Sequence, residues 1–319
     1  MRKSGIRSSV ILLLWICLMS PTWLYGQNNV QKKFQTSLGT WYFLGETRFE
    51  KRMTCKGVEF GGLSGITYNP QQDIYYIISD DPGKFAPARF FTVKINLNDG
   101  HLDDGDVNCL GFTMLLDKKG GFFRRNSIDP EAIVWNPKGT LFISSEGGLL
   151  KTSSPFIREF TIDGKYIRDF KLPQNFFQVD HKKGIRTNLS LESLTLTPNG
   201  KYLFSANENA LFQDGPQSDF NVASPVRILK FNTKTGRVES EYLYWVDPVA
   251  HRPVMKKAFR VNGLVELLAL DDSTLIAMER EFSSGYGNSI KLYRVSLTDA
   301  EDIHTISALK DTSIQTIKS

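Results

Sequence analysis

The sequence predicts an all-β fold, a β-propeller built of four-stranded blades. Three observations predict it. Helical periodicity is nearly absent along the 319 residues. Two short apolar strands joined by a tight turn recur four times, from Leu63, Pro130, Leu191 and Val265. A second, more amphipathic pair follows each time. Four-stranded units in series are the signature of a propeller.

The chain opens on what reads as a secretory signal over residues 1–26. Arg2, Lys3 and Arg7 precede an apolar run from Val10 to Met19, followed by Ser20, Pro21 and the small residue Gly26. That run is too short to span a bilayer as a stable helix. The expected organisation is a removable signal and one propeller domain over 27–319, in a secreted or periplasmic protein with no membrane partner once the signal is gone. The net charge of +5 loses Arg2, Lys3 and Arg7 with the signal, leaving about +2. No basic stripe of a nucleic-acid binder is present. Arg124-Arg125 and Lys256-Lys257 are short pairs of the kind usually solvated. Cys55 and Cys109 survive cleavage. In an exported chain they form one disulfide or stay as two buried thiols, and spacing alone leaves both open. No Cys-x-x-Cys exists, which argues against a zinc ribbon or a thioredoxin-type site.

The inner hairpins read "LSGITYNPQQDIYYIISDD", "PEAIVWNPKGTLFISSE", "LESLTLTPNGKYLFSANE" and "VELLALDDSTLIAMER". Asn-Pro, Asn-Pro-Lys-Gly, Thr-Pro-Asn-Gly and Asp-Asp supply the turns, because proline presets φ and glycine and asparagine tolerate positive φ. The second strands, Ile74–Ile78, Thr140–Ile143, Tyr202–Phe204 and Thr274–Met278, are apolar on both faces, as strands buried on both sides must be. The starts lie 67, 61 and 74 residues apart, longer than the ~40–50 of common propeller repeats. The excess falls in loops such as Lys118–Ser127, Phe176–Asn188 and Gln213–Ser224, and long loops on a rigid scaffold carry function.

Carboxylates accompany the repeats. Glu131, Glu192 and Glu266 stand at the start of three first strands, with Ser64 in that place in the first repeat. Asp80 with Asp81, Glu146, Glu208 and Glu279 stand at the end of the second strand. In a hairpin those two positions lie side by side, so all of these groups are expected at one mouth of the channel. Eight converging carboxylates repel, and need raised pKa values, basic partners or a cation. Hard oxygen donors in number favour Ca²⁺ or Mg²⁺. Arg89, Arg186 and Arg280 are the candidate basic partners.

The motifs "GGLSGI", "IISDD", "DPEAI", "SSEGG", "SLESL", "SANEN" and "AMERE" occur in an order that resembles the phytase-like family, known by its esterase-like activity, from about Gly61 to Leu297. The resemblance implies a propeller of five or six blades in a complete member. It implies a carboxylate-lined, Ca²⁺-filled channel mouth that takes a phosphoester. By similarity Asp80, Asp81, Glu131, Glu146, Glu192, Glu208 and Glu279 match acidic family positions. Members usually end in a further repeat with an Asn-x-Glu-Gly motif and another Ser-Asp. Here the chain reads "ALKDTSIQTIKS" instead, so ring closure would fall to a further blade or to the strand-like Thr40–Glu50.

The expected function is metal-assisted hydrolysis of a small anionic ester or phosphoester, with Glu131 or Glu192 as general base and Arg186 or Arg280 neutralising developing charge. The same scaffold would also suit a carboxyl-ester or lactone substrate. Arg-His-Gly and His-Cys-x₅-Arg signatures are missing, and "GGLSG" around Ser64 is not Gly-x-Ser-x-Gly. The alternative is a non-catalytic platform that binds a ligand or protein, with the carboxylates structural.

Overall fold

The computed structural model describes residues 32–36, 39–148, 153–177, 182–255 and 257–310. The expected signal over 1–26 lies outside the described residues. The chain divides into two compact units, Met1–Leu44 and Gly45–Ser319. In the first, β1 (Lys33–Thr36) pairs with β2 (Gly39–Tyr42) as an exposed hairpin. The strand expected over Thr40–Glu50 therefore ends at Tyr42, and its partner is β1.

Among its described residues the second unit is all-β apart from one 3₁₀ turn at Gln174–Phe176. A short hairpin, β3 (Thr54–Cys55) and β4 (Val58–Glu59), precedes four antiparallel blades. Blade 1 is β5 (Leu63–Asn69), β6 (Ile74–Ser79), β7 (Arg89–Ile95) and β8 (Val107–Met114). Blade 2 is β9 (Pro130–Asn136), β10 (Thr140–Ser145), β11 (Phe156–Thr161) and β12 (Tyr166–Phe170). Blade 3 is β13 (Leu191–Leu196), β14 (Tyr202–Asn207), β15 (Ser224–Asn232) and β16 (Arg237–Val246). Blade 4 is β17 (Arg260–Ala269), β18 (Thr274–Ser283) and β19 (Gly287–Ser296). The innermost strands β5, β9, β13 and β17 stand side by side in chain order, the arrangement of a four-blade propeller.

The double-sided burial predicted for the inner strands has its cause between the blades. Ile78, Phe90, Trp135, Ile143 and Phe160 fill the space between blades 1 and 2. Val134, Phe142, Leu194, Leu203 and Phe231 fill the next. Phe204, Ile228, Tyr244, Leu267 and Leu275 fill the third. On the outer face of blade 1, Cys55 and Phe60 cover Ile77, Phe91 and Val93, and a Cys55–Cys109 disulfide ties the β3–β4 hairpin to β8. That answers the question of the two cysteines left open by their spacing.

Blade 4 departs from the four-strand expectation, since it has three strands among the described residues. The reason lies past β19, where the chain crosses to blade 3 instead of adding a strand. Ile303 donates its N–H to the Glu241 carbonyl at 2.9 Å, and Ile303 and Leu309 pack on Leu243. Arg227, wholly buried, holds this segment by donating to the Ile306 carbonyl, and Asp214 accepts the Leu309 N–H. The same guanidinium pairs with Asp214 and Glu241.

Candidate functional site

One irregularity repeats in all four blades and sets the site. In each inner hairpin the register slips by one residue near the start of the first strand. The bulged residue is Ser64 in β5, Glu131 in β9, Glu192 in β13 and Val265 in β17. A bulge interrupts the ladder and re-aims a side chain, and bulges collect at rims and active sites. The residue opposite closes the hairpin: Ser79 pairs with Leu63, Ser145 with Pro130, Asn207 with Leu191, and Glu279 with Leu264. The next residues are Asp80, Glu146, Glu208 and Arg280.

The mouth therefore receives Ser64 and Asp80 from blade 1, Glu131 and Glu146 from blade 2, Glu192 and Glu208 from blade 3, and Val265 and Arg280 from blade 4. The fourth repeat is offset by one residue from its expected alignment. Glu266 shares the place of Gly65, Ala132 and Ser193, half-buried, with the Leu267 N–H donated to its Oε1 at 2.8 Å. Glu279 shares the place of Ser79, Ser145 and Asn207. It is buried and accepts from the Tyr244 hydroxyl at 2.7 Å, Asn262 Nδ2 at 2.8 Å and the Asp247 N–H at 3.1 Å. Asp81 also serves the scaffold. It accepts the N–H groups of Lys84, Phe85 and Ala86 and the guanidinium of buried Arg89. Against the burial that would raise its pKa, those bonds hold it below the usual range. Arg186 donates Nε to the Ala210 carbonyl and a terminal nitrogen to the Gly215 carbonyl, lying over the Phe212 ring.

What converges is a compact acidic group. Asp129, Glu131 and Glu146 each offer an oxygen, all within 4.8 Å of one another. Ser64 Oγ donates to Glu131 Oε2 at 2.7 Å, joining blades 1 and 2. Glu146 accepts the Ser190 N–H of blade 3. Ser145 Oγ accepts the Asp129 N–H at 3.1 Å and fixes that residue's backbone. Glu208 lies against Gly263 of blade 4, where an added Cβ would stand 2.3 Å from Oε1. Asp129 was missed by sequence reasoning. Its counterparts two residues before each bulge are Gly62, Ser190 and Gly263, so a search for repeated acids passes it by. The signal that could have found it is the "DPEAI" motif, which begins at Asp129.

Burial is the first cause of every pKa shift in this group. It pushes Asp129 up to about 6, with the Asp80 charge adding to the effect. Glu131 rises to about 10 through burial and the neighbouring Glu192, and Glu146 to about 8 for the same two reasons. Glu192 rises to about 7, burial outweighing the opposing pull of Arg280. Glu208 is raised well above the carboxylate range, again against Arg280. Burial takes Glu266 to about 7 and raises Asp80. Asp80 and Arg280 are exposed and Glu192 is half-buried, so the group is open to solvent on that side.

The end of β8 rests against the β11–β12 turn, with Met114 beside Gly164, and the end of β12 rests against the β15–β16 turn, with Asp169 beside Gly236. From there the connections lead to β9 and β13, whose first residues carry the acidic group. His181 lies outside the described residues. Among the described histidines, His251 pairs with Glu281 and His304 with Asp302, and neither lies on a bulge.

Comparison with known proteins adds a family. The model for the family described as "Phytase-like: Esterase-like activity of phytase" matches residues 58–319. No curated protein matches the chain in sequence. Solved structures that match include the hydrazine synthase of Kuenenia stuttgartiensis, at 8% identity and TM-score 0.38 over 74% of this chain and 52% of that one. A Dos1 propeller matches at 9% identity and TM-score 0.36, over 73% and 48%. The periplasmic gluconolactonase PpgL of Pseudomonas aeruginosa matches at 14% identity and TM-score 0.38, over 81% and 75%. The chain spans about half the length of the first two.

Proposed function

The chain belongs to the phytase-like family described by its esterase-like activity, and from that premise we propose that it is a cation-assisted hydrolase of small anionic esters or phosphoesters. The observation that carries the reading is the convergence of Asp129, Glu131 and Glu146 within 4.8 Å at a mouth that also presents Arg280. The donors suit a hard divalent cation such as Ca²⁺, being all carboxylate oxygens. Without one they are forced toward the protonated state, as their raised pKa values record. Asp129, Glu131 and Glu146 would hold the ion, and a bound cation would polarise a carbonyl or phosphoryl oxygen.

The remaining roles belong to the chain's own side chains. Arg280, exposed at the rim, neutralises an anionic group of the substrate and the charge that develops on it. Glu192 is the general base: half-buried beside the cation ligands, with a pKa near 7 that matches neutral operation. Ser64 orients Glu131 through its hydroxyl. Arg186 has the lesser part of tying the β12–β13 connection to the Ala210 and Gly215 carbonyls. The protein is exported, a reading supported by the signal-like leader and by a disulfide that persists in an oxidising compartment.

The test is calorimetric titration of Ca²⁺ into metal-stripped protein, with Glu131→Gln/Glu146→Gln alongside, then assay of p-nitrophenyl acetate and p-nitrophenyl phosphate. Binding abolished by the double substitution, with turnover lost in Glu192→Gln, is expected. Binding without turnover of either substrate would favour the ligand platform. Absence of binding to folded protein would remove the cation from the proposal.

A further inference from the structure

A second cluster of charge lies outside the acidic mouth, on the connection between β8 and β9. Lys118, Lys119, Arg124 and Arg158 line a cleft of about 370 Å³ around the ring of Phe123, with Asp117 at its side. That volume falls within the ~300–1,000 Å³ of small-molecule sites. The two acids nearby are already engaged. Asp117 accepts the Lys119 and Gly121 N–H groups and its pKa is lowered by them. Asp169 accepts from Lys118, from Arg158 Nε and from the Tyr166 hydroxyl, and its pKa is lowered by these partners against burial.

Four cations against two acids leave a local charge of +2. Lys119 and Arg124 are exposed and form no salt bridge among the described residues, although the Lys119 charge helps lower the Asp117 pKa. Arg158 is held flat against Phe156, 3.7 Å from the ring centroid, and engages Asp169 through Nε. Phe123 stacks on Phe156 and lines the cleft. A pre-ordered guanidinium, two exposed cations outside any salt bridge and a partly apolar lining suit an oxyanion site. Ordinary surface lysines are solvated singly, whereas these side chains converge on one cleft.

We propose that this cleft binds a doubly charged tetrahedral oxyanion, a sulfate or phosphate group, at a site separate from the carboxylate mouth. The dianion matches the local charge, and Lys119 and Arg124 supply its free donors.

The experiment is a titration of inorganic sulfate into ¹⁵N-labelled protein followed by NMR. Excess chelator keeps the mouth free of cations, and chloride holds ionic strength constant. Saturable shifts confined to 117–127 and 156–158 are expected, weakened at least tenfold in Lys119→Ala/Arg124→Ala with the rest of the spectrum unchanged. A sulfated disaccharide run in parallel identifies the source: tighter binding than sulfate points to a group carried on a larger ligand, and equal binding to the free ion. Shifts that grow linearly without saturation, or that are the same in the double variant, overturn the proposal.

Discussion

Raising pH should destabilise the cation-free protein, and adding Ca²⁺ should reverse the effect. Asp129 is buried and its pKa rises from an ordinary 3.8 to about 6. Between those two values the folded state binds more protons than the unfolded state, so stability falls as pH rises. Its contribution is full below about pH 4 and gone above about 6. At 1.36 kcal/mol per pKa unit this one group removes about 3 kcal/mol. Glu192 and Glu146, raised to about 7 and about 8, extend the loss in the same direction toward pH 8. Carboxylates with lowered pKa, such as Asp81 and Asp169, lose their contribution only below pH 4 and leave this window untouched. For a domain of this size about 3 kcal/mol is on the order of 10 °C in Tm. The assay is differential scanning calorimetry in chelator at pH 5, 6.5 and 8, then with Ca²⁺ in excess. Tm should fall steadily across the series, and Ca²⁺ should restore it far more at pH 8 than at pH 5, where protons compete for the same oxygens. A Tm independent of pH from 5 to 8 in chelator would falsify the account of the mouth as a buried, mutually repelling group.

Four further outcomes follow from the scaffold. Replacing both Cys55 and Cys109 by serine reopens a loop of sequence separation 54; the chain-entropy estimate is about 4 kcal/mol, readable as a Tm lowered on the order of 10 °C, and equal melts with and without the bond would refute it. Arg227→Met leaves Asp214 and Glu241 buried without their cation, a change worth ~3–5 kcal/mol, and limited proteolysis should then cut within 303–310, where the intact protein resists. Gly263→Ala would place a Cβ 2.3 Å from Glu208 Oε1 and should lose ~1–3 kcal/mol by overpacking, measured by urea unfolding. Gly111→Ala, which meets nothing within 4 Å, should stay within about 0.5 kcal/mol.

The blades were legible because burial on both faces writes itself into sequence as unbroken apolar runs. Ile74–Ile78 and Thr140–Ile143 are examples, and no other element type asks for them at that length. Features that depend on distant parts of the chain were not legible in the same way. Whether Cys55 and Cys109 meet depends on a hairpin folding back over blade 1, which spacing does not encode. The fate of the residues after β19 depends on Arg227, some 80 residues earlier, offering its guanidinium to the Ile306 carbonyl. Asp129 escaped because it stands where two other blades carry glycine, so its role exists in one blade only.

The one-residue offset of the fourth repeat shows most sharply what pattern alone leaves open. Aligning acids with acids put Glu266 with Glu131 and Glu279 with Glu146, a choice that maximises resemblance. Pairing overrules it, because Ile66, Ile133, Leu194 and Leu267 face Ile77, Ile143, Ser205 and Ala277 in common register. Counted from there, blade 4 contributes Val265 and Arg280. β17 and β18 also pair beyond the mouth as far as Arg260 and Ser283, three ladder positions further than Gly263 and Arg280. At ~3.3 Å per residue this raises a wall of about 10 Å on one side. A ring of four identical acidic blades would have no preferred orientation for a ligand. Here the carboxylates of blade 2 and the guanidinium of blade 4 mark opposite signs around one channel mouth. The departure of blade 4 from its repeat is therefore the source of this charge asymmetry, and under the proposed function it would orient an ester or phosphoester with its negative group toward Arg280.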